Sequence, residues 1–300
     1  MASRMAKKEA LMGFLTISPW LAGFLLFTIG PIIASMFISF TNWDLVTHPR
    51  WVGLDNYVHL IRDDPLFWQS LKVTLYFAIL SLPLGLIASL AVAILMNQNV
   101  KGIFWFRTIY YLPAVMPAVA AAILWRWIFN NDFGILNVLL RFLGLQGLHW
   151  LTDPRWVVPA FVIMGLWSVG GGMLIYLAGL QGIPTQLYEA ADLDGAGSWK
   201  KFLNVTLPMM SPVILYNLIM GIIGSFQAGF TTSYIMTSGG PNNASMFYVL
   251  YLYINAFERF KMGYASAQAW LLFLIVLLIT FLVFKKSQAW VYYEGSGRAR

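Results

Sequence analysis

Six long apolar stretches, at residues 11–40, 73–97, 108–125, 157–180, 207–236 and 262–284, contain no Asp, Glu, Lys, Arg or His. Nothing else in the chain restricts its folding as tightly. A backbone in hydrocarbon must satisfy every N–H and C=O internally, and ~20 apolar residues in helical form span the core of a bilayer. The composition agrees, with 59% hydrophobic, 16% aromatic and only 10% charged residues, against about 25% charged in a soluble domain. These stretches predict an all-α polytopic membrane protein with six transmembrane helices. Because the connecting segments are short, residues 1–300 read as a single membrane domain. The first stretch follows Arg4, Lys7 and Lys8 as a secretion signal would, but it exceeds the ~7–15 residues of a signal core. It reads as an uncleaved span kinked by Pro19 and Pro31.

Orientation follows from where the cations fall. With the N-terminus inside, the inner segments hold Arg4, Lys7, Lys8, Lys101, Arg107, Lys200, Lys201, Lys285, Lys286, Arg298 and Arg300. The outer loops are longer yet hold only Arg50, Arg62, Lys72, Arg126, Arg141, Arg155, Arg259 and Lys261. This bias predicts that both termini and the loop at residues 185–206 face the cytoplasm. The net charge of +7 expresses the same bias; the basic residues are dispersed, which is not the footprint of a nucleic-acid binder. With no cysteine, disulfides, thiolate metal sites and cysteine catalysis are excluded. His48, His59 and His149 fall in outer loops without metal-ligand spacing, so no metal site is expected.

The loops carry local signals of their own. Trp51-Val52-Gly53-Leu54-Asp55-Asn56-Tyr57 combines turn formers with aromatics suited to the interfacial belt. The segment 130–137 opens on turn residues, and the apolar run 139–148 reads as a short helix lying along the membrane surface. Ser238-Gly239-Gly240-Pro241-Asn242-Asn243 is a strong loop signal. Gly170-Gly171-Gly172, inside the fourth stretch, reads as close helix packing.

One inner loop is a polar island between two apolar stretches. The run from Leu187 to Leu193 favours a short helix, Gly195 and Gly197 free the backbone to turn, and Ser198 is placed to cap a second helix carrying Trp199, Phe202 and Leu203. The two helices are expected to meet at a right angle. Ala190 and Ala191 carry little bulk, so another protein can approach the first helix closely.

The spacing of this loop is Glu189-Ala190-Ala191, three residues, Gly195, nine residues, Val205, one more, and Leu207-Pro208. It resembles the signature of permease subunits of binding-protein-dependent ABC importers. Further segments extend the resemblance over nearly the whole chain: Gly53-Leu54-Asp55-Asn56-Tyr57, the run from Phe106 to Pro113, Trp125-Arg126-Trp127-Ile128-Phe129 with Asp132-Phe133-Gly134, Gly239-Gly240-Pro241, and Met262 to Ala267. They are similar to carbohydrate importers of the maltose-transporter first-permease or glycerol-3-phosphate-permease type. Val73, ahead of Thr74-Leu75, departs from the Asn that this family often has. The resemblance implies a type I ABC importer permease fold. Its cytoplasmic coupling helix would dock on an ATPase subunit through Glu189, Ala190, Ala191, Asp194 and Gly195, with Leu207 and Pro208 completing the motif. It also implies two ATPase subunits, a second homologous permease, an extracytoplasmic solute-binding protein, a sugar or oligosaccharide as solute, and a bacterial inner membrane. ATP and Mg would sit on the ATPase subunits, leaving this chain without a cofactor.

The chemistry present is consistent with that division of labour. No Gly-rich phosphate loop ending in Gly-Lys-Ser/Thr is present to hold a nucleotide. Proton-coupled carriers keep intramembrane carboxylates or histidines despite a cost of ~2.5–3.5 kcal/mol each; these stretches have none. Ser168, beside the three glycines, has no His, Asp or Lys in a span to activate it, so no catalytic residue is expected. An ion-coupled carrier or channel, or a permease for a non-sugar solute such as glycerol-3-phosphate, are the alternative readings. A neutral sugar needs amide, hydroxyl and aromatic groups along its path. The fifth stretch offers Asn217, Phe226, Gln227, Phe230 and Thr231, with Trp167 and Gln268 from two others, and Gln227 leads this set.

Overall fold

A computed structural model describes residues 2–292, with side chains from Met5 onward; Arg298 and Arg300 lie outside the described residues, as does the side chain of Arg4. The described chain is mostly helical and divides into two compact units, one built from the residues up to 64 with 252–273, the other from 65–251 with 274–292.

The first unit opens with α1 (Ala2–Phe24), a π turn (Leu25–Ile29) and α2 (Gly30–Ser39). Pro31 lacks an N–H and its ring crowds the preceding turn. Widening that turn, so that Gly30 donates to Leu25 O, accommodates it. The expected disturbance therefore takes the form of a π turn before Pro31, while Pro19 lies inside α1. A two-residue hairpin follows, β1 (Thr41–Asn42) antiparallel to β2 (Arg50–Trp51), then α3 (Asp55–Arg62). Asn56 Nδ2 donates to Ser39 O and Thr41 O, each at 2.9 Å, and Tyr57 donates to Ser39 Oγ at 2.8 Å. Asn56 and Tyr57 thus fasten the end of α2, a structural role beyond the interfacial one expected of this loop. The first turn of α15 (Met262–Ser287) meets the same place: a Cβ on Gly263 would sit 1.8 Å from Thr41 O. Tyr264 donates to Asp64, and Trp270 Nε1 to Ser35 Oγ at 3.2 Å.

In the second unit α4 (Pro65–Met96) is the central element, with α8 (Val157–Trp167), α9 (Gly170–Gln181) and α12 (Leu207–Gln227) packed against it. It begins eight residues before the expected second span, because Pro65 suits the first position of a helix and Phe67, Ser70 and Leu71 are buried. Lys72 is accordingly an exposed helix residue and not a loop residue. The third stretch is not one rod. It divides into α5 (Ile103–Tyr111), a 3-10 turn (Leu112–Val115) and α6 (Ala118–Ile128), bent by 98°. Pro113 and Pro117 cause the break, and Met116 is extended, as a residue preceding proline prefers. The fourth stretch bends by 48° between α8 and α9, at Ser168-Val169. Among the described residues, four helices can cross a membrane by length and composition, and six crossings result if each bent pair is one span.

Arg107 donates through Nε (3.1 Å) and Nη2 (2.7 Å) to Met96 O, satisfying the C-terminus of α4. The surface helix expected at 139–148 is α7 (Ile135–Phe142). Buried Asn137 holds it by donating to Leu148 O and accepting from Leu148 N and Trp150 Nε1, all at 2.9 Å. Phe142 and Leu143 remain exposed, at 88% and 70%, as a helix on a bilayer surface would leave them. In the following loop, Arg155 hydrogen-bonds Asp153 at 2.8 Å and holds that carboxyl down to about 2, so the pair persists through mild acid.

The chain continues through α10 (Thr185–Leu193), α11 (Ser198–Lys201), α12, α13 (Phe230–Met236) and α14 (Tyr248–Tyr253). A π turn (Phe202–Thr206) joins α11 to α12 without interruption. What reads in sequence as a second short helix is thus the root of one long helical run. Gly197, not Ser198, occupies its N-cap, and it makes no side-chain capping bond.

Candidate functional site

Glu189, Ala190 and Ala191 occupy the middle of α10, and Asp194 is its C-cap. The helix stops in a Schellman arrangement: Gly195 N donates to Asp192 O (3.0 Å) and Ala196 N to Ala191 O (2.9 Å). Gly195 has φ of +73°, and nothing in this chain lies within 4 Å of where its Cβ would be. Backbone conformation, not internal crowding, is what requires glycine there. Leu207 and Pro208 stand apart from this tip, at the start of α12 beyond the π turn.

The loop presents a face that its polar motif does not announce. Leu193 is 91% exposed and Trp199 is 70% exposed, with the indole stacked on Phe202 at 5.5 Å. Exposed apolar anchors of this kind favour docking against a protein surface. On its other side the loop is tied inward. Tyr188 Oη lies 2.9 Å from Thr206 Oγ1, and Lys201 Nζ 2.8 Å from Asp192 Oδ1. The Tyr188 ring and Val205 pack on a buried cluster that includes Met96, Met173, Tyr176 and Met210.

A cleft of 520 Å³ opens between α4, α8, α9 and α12, within the usual size range of small-molecule sites. Its polar lining comprises Ser81, Ser89, Ser168, Tyr176, Asn217 and Ser225, and none of the described residues lining it is acidic or basic. Ser89 donates to Val169 O (3.3 Å), Ser168 to Gly165 O (3.0 Å) and Ser225 to Ile222 O (2.9 Å). With their protons spent on backbone carbonyls, these hydroxyls keep lone pairs as acceptors. Asn217 Nδ2 donates to Val213 O at 3.0 Å and retains a second N–H and its carbonyl oxygen. A Cβ on Gly172 would come within 2.8 Å of Ser89 Oγ and 3.9 Å of Asn217 Oδ1, so glycine keeps the cleft open at this point.

Of the residues expected along a solute path, Asn217 lines this cleft. Gln227 is exposed at the last position of α12, immediately before the break at Ala228-Gly229, and Phe226 beside it is buried. Phe230 and half-buried Thr231 follow the break on α13, where the Phe230 ring stacks on Tyr234 at 5.7 Å. Trp167 belongs to a separate apolar hollow with Tyr110 and Pro113, its ring edge-on to Trp125 at 5.8 Å. Gln268 is fully buried in the first unit and accepts from Asn255 Nδ2 at 3.1 Å. Sequence reasoning passed over Ser81 and Ser89, which carry no signal apart from being polar within an apolar stretch. It also passed over the pairing of Tyr188 with Thr206, which are 18 positions apart.

Comparison with known proteins gives one consistent result. Residues 81–285 match the family described as binding-protein-dependent transport system inner membrane component. A probable ABC transporter permease protein, YesP, of Bacillus subtilis (strain 168) is 44% identical over 98% of this chain and 96% of its own length. The trehalose/maltose transport system permease protein MalF of Thermococcus litoralis is 34% identical, covering 95% of this chain and 96% of its own. The fold matches a chain in the crystal structure of a bacterial ABC transporter involved in import of the acidic polysaccharide alginate, with a TM-score of 0.84 over 96% of this chain and 99% of that one, at 24% identity. The chain belongs to the inner membrane component family of binding-protein-dependent transport systems: it is an ABC importer permease, a transport component and not an enzyme.

Proposed function

We propose that this permease forms, with a second homologous permease, the translocation path for a neutral sugar or oligosaccharide delivered by an extracytoplasmic solute-binding protein. The observation that carries the sugar assignment is the cleft, whose polar lining is hydroxyl and amide without an acidic or basic side chain among the described residues. Its acceptor-rich hydroxyls suit the O–H donors of a sugar, and an anionic solute would find no counter-charge there. The trehalose/maltose system of its Thermococcus litoralis relative supports the same substrate class. ATP and Mg are bound by two ATPase subunits, which engage the loop around Glu189, Ala190, Ala191, Asp194 and Gly195. The first experiment is a sugar-panel screen of the solute-binding protein that serves this permease. A partner selective for a charged, non-sugar solute would overturn the assignment.

Within the path, Asn217→Ala is expected to raise the apparent KM for the cognate sugar about three- to tenfold, the worth of a neutral hydrogen bond. Gln227→Ala, at the exposed end of α12, is expected to act in the same direction with a smaller effect. Unchanged uptake kinetics in a correctly assembled Asn217→Ala complex would remove the cleft from the path.

Six crossings with both termini in the cytoplasm complete the proposal, supported by the Lys/Arg asymmetry. The absence of native cysteine allows a direct test. Single cysteines at the exposed positions Asp132 and Asn242 are expected to react with an impermeant thiol reagent in intact cells, and one at exposed Ser198 only after permeabilisation. The inverse pattern would place the docking loop on the wrong side of the membrane.

A further inference from the structure

Among the described residues, the ties of helix α10 to the rest of the second unit are of unequal worth. The Asp192–Lys201 pair is solvent-exposed on the Asp192 side, at 60%, and such pairs contribute little once water screens them. Tyr188 is different. Its ring packs on the cluster of Met96, Met173, Tyr176 and Met210, and its hydroxyl meets Thr206, which is only 8% exposed. From this one side chain two physical routes lead to the cleft. Through Thr206 the first reaches the π turn at the root of α12, the helix that brings Asn217 and Ser225 to the cleft. The second runs through the cluster to Tyr176, which lies both in the cluster and on the cleft wall.

We propose that Tyr188, through its hydrogen bond to Thr206, is the positioning residue that converts displacement of α10 into displacement of the cleft wall. The proposal rests on α10 being the ATPase dock and adds the internal joint that makes docking useful. A π turn replaces the regular i→i−4 pattern with a wider loop of backbone, so the start of α12 is a point where motion can be absorbed. Pinning Thr206, the last residue of that turn, to α10 makes the loop and the helix root move together. Without the pin, α10 can shift while the cleft stays where it is. Phenylalanine at 188 keeps the ring in the cluster and removes only the pin.

The test uses the assembled importer with its binding protein, carrying a single cysteine at Ser168, an exposed residue on the cleft wall. N-ethylmaleimide labelling rates are compared with and without MgATP and vanadate, so no knowledge of the sugar is needed. With Tyr188 and Thr206 intact, trapping is expected to change the rate. In Tyr188→Phe and Thr206→Val the change is expected to shrink about three- to tenfold, the range of one neutral hydrogen bond, with ATPase subunits still bound and ATP still hydrolysed. The double variant is expected to behave like either single one, since both remove the same bond. A full-sized labelling response in the single variants, or losses that multiply in the double, would overturn the joint. The docking reading fails separately, if a Leu193→Asp complex binds its ATPase subunits with unaltered affinity.

Discussion

Valine at position 195 is expected to lower uptake at least about tenfold while leaving the permease inserted and helical. Gly195 closes α10 with φ of +73°, and a side chain in the left-handed region costs ~1–2 kcal/mol, more for a β-branched residue. Nothing in this chain crowds the site, so the cost falls on the conformation of the docking tip. At ~1.4 kcal/mol per factor of ten, the docked loop becomes a minority state. The measurement is retention of ATPase subunits on the purified permease together with uptake. Leu193→Asp is expected to reproduce the loss by a different route, since it puts a charge on the exposed apolar face proposed to dock. Normal uptake by a properly assembled Gly195→Val complex would separate this loop from coupling.

Gly170→Ala is expected to destabilise the native permease strongly, whereas Gly171→Ala leaves it intact. A Cβ on Gly170 would lie 2.3 Å from Tyr110 O and 2.8 Å from Tyr111 Cα, backbone atoms with no rotamer to yield, whereas one on Gly171 meets nothing within 4 Å. Gly170 begins α9, just beyond the bend in the fourth stretch, and abuts the end of α5, just before the bend in the third. Overpacking typically costs ~1–3 kcal/mol, and contact with backbone puts Gly170→Ala at the upper end. Gly171→Ala gains ~0.5–1 kcal/mol of helix preference. Thermal inactivation of the detergent-solubilised complex distinguishes the two; equal stability would mean that the bends do not pack as described.

The contrast between these glycines shows what sequence could and could not tell. The run Gly170-Gly171-Gly172 announces close packing, yet only the fold separates the contact residues 170 and 172 from the free 171. Apolar length marked the stretches because hydrocarbon demands it, and they form four helices able to cross a membrane, or six crossings if each bent pair is one span, among the described residues. Where the stretches bend was less legible, although Pro113 and Pro117 carried the signal for the 98° break. The extension of α4 to Pro65 was hidden by Lys72, whose charge reads as loop but sits on the helix's exposed side. Within the docking loop, Glu189 to Gly195 was legible as a helix and its αL stop, being local in sequence. Tyr188 against Thr206 was not, because it depends on the chain returning through the π turn. The cleft was legible only in part: Asn217 stood out as an amide in an apolar helix, while a serine in such a helix looks alike whether or not it faces a cavity.

The central claim is that this chain moves a sugar only as part of an ATP-driven assembly. Uptake of the cognate sugar, identified from the binding protein, should be measured in proteoliposomes holding this permease, its permease partner and the ATPase subunits. Uptake is expected when ATP is inside and loaded binding protein outside, and is expected to vanish when either is omitted. Uptake by this chain alone, driven by an imposed proton gradient without ATP, would contradict the account.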